Sequence, residues 1–388
     1  MTINLNRRTL IAGSLLGAGS LALPRLAFAQ GAGTRNLLFV LLRGAADGLS
    51  MLAPVGDPGF ERLRGAMLGD YESAPRLGSF FAVHPALAEI AKSAQAGEAL
   101  FVHAAATAYR ERSHFDGQNL LETGGTAPYA SKDGWLNRLV GMMNEGAPDP
   151  LRTLAIAPTV PLALRGNAPV SSYAPSALPD ASEDLIARVS QLYAADAELG
   201  GLWSRALETR AMAGDDGLRN LNDARATGTL AASLMRGSQG ARIGMIELGG
   251  WDTHANQRGA FMRQARGLDA LIAAYRTGLG DGWADTMVLV ATEFGRTARL
   301  NGTGGTDHGT AAAALIMGGA VRGGRVIADW PGLAERQLYE GRDLAPTIAL
   351  ENVLAGAVAE HLRIDPARAM SRLFPGRTGA PLAGIVRS

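Results

Sequence analysis

The chain has 388 residues, 47% hydrophobic and 19% charged, with a formal net charge of +1. That balance excludes a disordered or fibrous protein and offers no basic field for nucleic acid. With no cysteine, disulfides, thiolate zinc, iron–sulfur clusters and a thiol nucleophile are excluded, and chemistry rests on six His plus Asp, Glu, Ser, Thr and Arg.

The first element is an address. Adjacent Arg7 and Arg8 precede an apolar, Gly/Ala-rich run to Leu23, and Ala27-Phe28-Ala29 supplies a small-x-small cleavage site. This order predicts a twin-arginine signal peptide over residues 1–29 and a periplasmic or secreted product, exported folded. The run is shorter than the roughly 20 residues of a membrane span, so no span is expected after processing. Removing it takes away Arg7, Arg8 and Arg25 and no acid, leaving 34 basic against 36 acidic side chains. Near-neutral charge of this kind argues against general recruitment to nucleic acid or membrane.

Along the rest of the chain, continuous apolar runs predict buried strands at Asn36–Leu42, Ala99–Ala105, Leu154–Ala157, Ile243–Leu248, Thr286–Ala291 and Ala312–Met317, with a short one at Arg325–Ala328. Helical spacing marks His84–Ala96, a stretch after Ser113 ending at Gly124-Gly125, and Gln257–Leu279. Pro158–Pro179 reads as a long loop or lid. Ala181–Met235 is helical by composition, broken near Gly214 and Gly217. A C-terminal helix is expected over Asp343–His361, with Pro346 in its first turn. The alternation predicts an α/β fold with a mainly parallel central sheet and helices on both faces. Residues 30–388 are expected to form one domain carrying a loop and helical insertion at 158–235. Neither a dinucleotide fingerprint nor a Walker A motif is present.

Ligands of open α/β sheets bind beyond the carboxyl ends of the strands. Acids and His cluster at those ends here: Asp47, Ser113-His114, Asp252-x-His254, Glu293 and Asp307-His308. Converging carboxylates repel unless something positive lies between them, and carboxylate plus imidazole suits Zn or Mn. Asp47, Asp252, His254, Glu293, Asp307 and His308 are therefore candidate ligands for one or two divalent ions. Each has a plainer role open to it. Asp47-Gly48 is a common turn pair, Asp252 could cap the next helix, and Glu293 could pair with Arg296. Ser113 is the candidate nucleophile, or simply an N-cap with Asp116 three residues on, and His114 assists it or packs in the core. Arg43, Arg112 and Arg296 lie beside these loops and suit a phosphate or sulfate oxyanion, unless they only balance the acids. His84, His103 and His361 read as structural.

Five motifs add a resemblance: RGAADGL at Arg43–Leu49, RSHFDGQNLLETG at Arg112–Gly124, GGWDTHANQ at Gly249–Gln257, TEFGRT at Thr292–Thr297 and GGTDHG at Gly304–Gly309. With the twin-arginine leader, they resemble the exported DUF1501 family, whose fold is similar to the alkaline phosphatase/sulfatase superfamily. That resemblance implies a metal-dependent hydrolase acting on a small-molecule or polymeric phosphate or sulfate ester. It implies Asp47 as a metal ligand after the first strand and Ser113 as the nucleophile. Asp252, His254 and His308 would form a first metal site. Where the superfamily places an Asp-His pair for the second ion, this chain has Glu293-Phe294, and phenylalanine cannot ligate. A noncatalytic binding or assembly protein that keeps the scaffold is the alternative.

Overall fold

The computed structural model describes residues 35–145, 152–178, 181–214 and 218–387; the leader expected over 1–29 lies outside them. Nine strands form the principal sheet: β1 (Asn36–Leu42), β2 (Ala99–Ala106), β3 (Thr153–Ile156), β4 (Ser171–Tyr173), β5 (Ile243–Leu248), β6 (Thr286–Thr292), β7 (Ala312–Met317), β8 (Arg325–Ile327) and β9 (Ile348–Ala349). Their order is β8-β2-β7-β6-β1-β5-β3-β4, with β9 paired to β2. All run in one direction except β7, which is antiparallel to both β2 and β6. The sheet is thus mostly parallel, within a mixed α/β architecture. A three-stranded antiparallel sheet, Leu52–Ala53, Arg76–Leu77 and Phe81–Val83, stands apart from it.

β1 explains the layering. All seven of its residues are buried, because a central parallel strand is covered on both faces. Leu38, Val40 and Leu42 join one core cluster, with Phe261, Leu268 and Tyr275 of α8 (Gln257–Leu279) and Leu230 of α7 (Ala224–Met235). Leu37, Phe39 and Leu41 join the other, with Trp135 and Leu139 of α4 (Trp135–Asn144), Val353 of α9 (Leu350–Leu362) and Phe374. Phe39 meets Trp135 edge to face at 5.3 Å between ring centroids. Each such apolar side chain stabilises the fold by about 1.5–3 kcal/mol on full burial, so the alternating sides of this strand weld both helix layers to the sheet.

The remaining helices are α1 (Pro58–Leu68), α2 (Ala88–Gln95), α3 (His114–Thr123), α5 (Glu183–Tyr193), α6 (Ala197–Ala213) and α10 (Pro366–Leu373), besides a single helical turn at Gly48–Met51 capped by Asp47. Two expectations are corrected. Residues 343–349 are not helical: the Asp343 carboxylate is taken by Arg112 and Arg342, and Ile348–Ala349 pair with β2 instead. Helix α9 starts only at Leu350. Pro158–Pro179 is not a bare loop, since it carries a 3-10 turn at Leu162–Leu164 and the edge strand β4. No helix among the described residues is long and apolar enough to cross a membrane.

Candidate metal centre

The common strand direction brings the ends of β1, β2, β5 and β6 to one edge, and the reversed β7 starts at that same edge. Five loops therefore meet there. Close backbone contacts knit them together. A Cβ on Gly44 (φ +112°) would lie 2.5 Å from the Asp252 nitrogen, and one on Gly305 would lie 2.1 Å from the His254 carbonyl carbon and oxygen. Ala255 bridges Gly304, and Arg296 bridges His308, both antiparallel. This zipping carries Asp307-His308 over to the Asp252–His254 loop.

His114 opens α3, and three histidines converge from three loops. The Nε2 atoms of His114 and His254 each lie 3.0 Å from Nε2 of His308. Asp252 Oδ1 lies 2.9 Å from His254 Nε2, 3.2 Å from His308 Nε2 and 3.4 Å from His114 Nε2. His114, Asp252 and His308 form a group that could hold a metal ion. The opposite ring nitrogens all face acceptors. His114 Nδ1 is 2.7 Å from Glu293 Oε1, His254 Nδ1 is 3.2 Å from Asp307 Oδ1, and His308 Nδ1 is 2.9 Å from the Arg112 carbonyl oxygen. A carboxylate or carbonyl oxygen accepts only, so each Nδ1 has a place to keep its ring's proton, the arrangement in which Nε2 can bind a metal ion. Unprotonated Nε2 atoms and a carboxylate oxygen this close repel one another. One proton relieves a single pair, whereas one cation relieves them all. Ligand atoms around a tetrahedral zinc ion stand roughly 3.3 Å apart, close to the spacing seen here.

The charges agree with this arrangement. The Glu293 hydrogen bond leads in holding His114 above the ordinary imidazole range, against partial burial. Burial, then the charge of His114, lowers His308. Burial pushes Asp252 up, but the Arg296 hydrogen bond and charge, with His114 and His254, bring it below the usual carboxylate range. Burial also pushes Glu293 up, and His114 and Gln118 outweigh it. Glu293 is 1% exposed and its Oε1 accepts from Gly44 N–H, His114 and Gln118. It faces the back of His114 rather than the convergence point. Asp307 does the same for His254, steadied by Asn301 Nδ2 at 3.0 Å.

Asp47 lies elsewhere. It is 1% exposed, its oxygens accept from Arg64, Ser50, Leu49 N–H and Gln257, and Arg64 Nη1 is 2.7 Å away. Burial raises its carboxyl, and the Arg64 charge overrides that and holds it ionised. The arginines are also engaged. Arg43 donates to Gln118, Glu122 and Glu247; Arg112 to Asp343 and Glu340; Arg296, with a fully buried side chain, to Asp252 and Thr306. Ser113 is the N-cap of α3, but its side chain makes no capping bond, and its backbone N–H donates to the Tyr109 phenol oxygen. Gln118, Asn301, Arg64 and Asp343 were not singled out from sequence. Only Gln118 carried a local signal, four residues after His114 on the same helical face.

Residues 179–374, 196 of the 388, match the family model described as "Protein of unknown function (DUF1501)". The chain belongs to the DUF1501 family. The matched part carries Asp252, His254, Glu293, Arg296, Asp307 and His308, whereas His114 and Asp47 precede it. No curated protein matches the chain significantly.

Proposed function

We propose that this chain is an exported, divalent-metal-dependent hydrolase of phosphate or sulfate esters on an alkaline-phosphatase-like scaffold. His114, His254, His308 and Asp252 hold a single ion, zinc or manganese. The observation that carries this reading is that His114 Nε2, His308 Nε2 and Asp252 Oδ1 lie within 3.4 Å of one another, with an acceptor behind each imidazole and His254 Nε2 beside His308 and Asp252. A divalent ion bound there supplies Lewis-acid polarisation of an ester oxygen and makes water more acidic. Glu293, Asp307 and the Arg112 carbonyl keep the imidazoles in the ligating tautomer. Arg296 holds Asp252 in place from its buried position. Because Arg43, Arg112 and Arg296 are all paired with carboxylates, the substrate's negative charge falls to the ion rather than to a guanidinium clamp. Asp47 is withdrawn into its pair with Arg64, which favours one ion over two. Ser113, free of capping work at the start of α3, is the candidate nucleophile.

Metal content by mass spectrometry on protein purified without chelators tests this reading. About one divalent ion per chain is expected, lost in an Asp252→Ala, His308→Ala variant that still folds. A panel of aryl phosphates and sulfates with and without chelator then tests hydrolysis. Metal-free protein overturns the centre. The alternative, a noncatalytic binding or assembly protein, is favoured by the paired arginines and by Leu185, Leu192, Leu199 and Leu202 standing exposed on α5 and α6. Bound metal without turnover of any ester in the panel supports it.

A further inference from the structure

His308 differs from the other two histidines in what stands behind its ring. His114 and His254 lean on side-chain carboxylates, whereas His308 leans on a backbone carbonyl, that of Arg112. Where that oxygen points depends on the torsions at Arg112, and Arg112 has φ +60°, a left-handed conformation that a residue with a Cβ rarely adopts. Something must hold it there. Arg112 Nε donates to Asp343 Oδ2 at 2.9 Å, and the Asp343 side chain is fully buried. The other oxygen of Asp343 accepts from Arg342 Nε at 2.8 Å, and Arg342 Nη2 donates to the His308 carbonyl. Asp343 thus reaches His308 twice, through Arg112 to the ring and through Arg342 to the backbone. Strained backbone persists where its surroundings over-determine it, and such places cluster at functional sites.

We propose that Arg112 is a positioning residue for the metal centre: its ion pair with Asp343 clamps the left-handed backbone whose carbonyl aims His308 Nε2 at the ion. The proposal rests on the metal-centre reading above. Its role for Arg112 is not substrate binding, since the guanidinium faces Asp343 and Glu340.

The test is Zn2+ affinity of the full chain, by competition with a chromophoric chelator, for wild type, Arg112→Ala, Arg112→Gly and Asp343→Asn. Losing a partner behind a ligating histidine weakens metal binding about 10–100-fold, and that loss is expected for Arg112→Ala and Asp343→Asn. Glycine takes positive φ without strain, so Arg112→Gly should bind at least about threefold more tightly than Arg112→Ala, although it too lacks the ion pair. An ion pair with a merely structural role gives no such rescue. The visible spectrum of Co2+-loaded Arg112→Ala should shift from wild type as His308 rotates. If Arg112→Ala does not fold, Arg112→Lys replaces it, since it keeps the charge but loses the planar fork. Wild-type affinity in Arg112→Ala, or in Arg112→Lys where that stands in, overturns this proposal alone, as does Arg112→Gly binding no better than Arg112→Ala. A wild-type chain that takes up no Zn2+ overturns the metal centre and this proposal together.

Discussion

Replacing Asp47 with alanine separates two roles for an acid at the end of the first strand. The carboxylate is 1% exposed and pairs with Arg64, itself 1% exposed. In Asp47→Ala the guanidinium stays buried with only neutral acceptors, the Ala298 and Thr297 carbonyl oxygens, the Ser50 hydroxyl and the Met67 sulfur. Removing one partner of a buried pair costs about 3–5 kcal/mol, since the remaining charge is uncompensated. For a chain of this length that lowers the unfolding midpoint by roughly 4–6 °C. Calorimetry on metal-free protein reads the loss, and metal content of the same variant should stay at the wild-type value. Adding Arg64→Met should recover much of the midpoint, because an apolar side chain of similar reach removes the stranded charge. A midpoint shift equivalent to less than about 1 kcal/mol together with an emptied metal centre would refute this account and make Asp47 a ligand.

Glu293→Ala takes away the acceptor behind His114 and should weaken Zn2+ binding about 10–100-fold, measured by chelator competition. Gly305→Ala places a Cβ 2.1 Å from the His254 carbonyl, so the His254 loop must move and affinity should fall at least about tenfold. Gly304→Ala meets no atom within 4 Å but has φ +65°, so it should cost only roughly 1–2 kcal/mol of stability and leave affinity near wild type. Acid should destabilise the metal-free protein through its buried histidines. His103 donates Nε2–H to the Leu52 carbonyl and accepts the Ala104 N–H at Nδ1, and His361 donates to the Asn36 carbonyl. Burial lowers both to about 4. The unfolded chain takes up these protons below about pH 6.5, so stability is full above that pH and falls as pH drops toward 4, by up to about 3 kcal/mol for each group. Urea midpoints that stay flat from pH 7 to pH 5 would remove this reasoning.

Much of the architecture lay in local pattern. Apolar runs marked Asn36–Leu42, Ile243–Leu248 and Ala312–Met317 with the observed bounds, because strand residues covered on both faces are apolar; Glu247 falls where Ile243–Leu248 is only half-buried. The same runs could not show direction, so the reversal of β7 was invisible. That reversal starts β7 at the site edge and lets His308 join the histidines that follow parallel strands. Asp343 with Pro346 looked like a helix start, since a short window carries capping signals but not the competing arginine 231 residues away.

The candidate site divides in the same way. The residue types, their places beside the strands, and the suitability of imidazole and carboxylate for a divalent ion followed from the sequence alone. Which acids face the ion and which stand behind a histidine did not. Asp47, Glu293 and Asp307 are all acids in loops at strand ends, yet one pairs with Arg64 and two hold imidazole Nδ1 atoms. Those roles depend on partners brought close by tertiary packing, and a hydrogen bond acts over about 3 Å of space, whatever the distance along the chain.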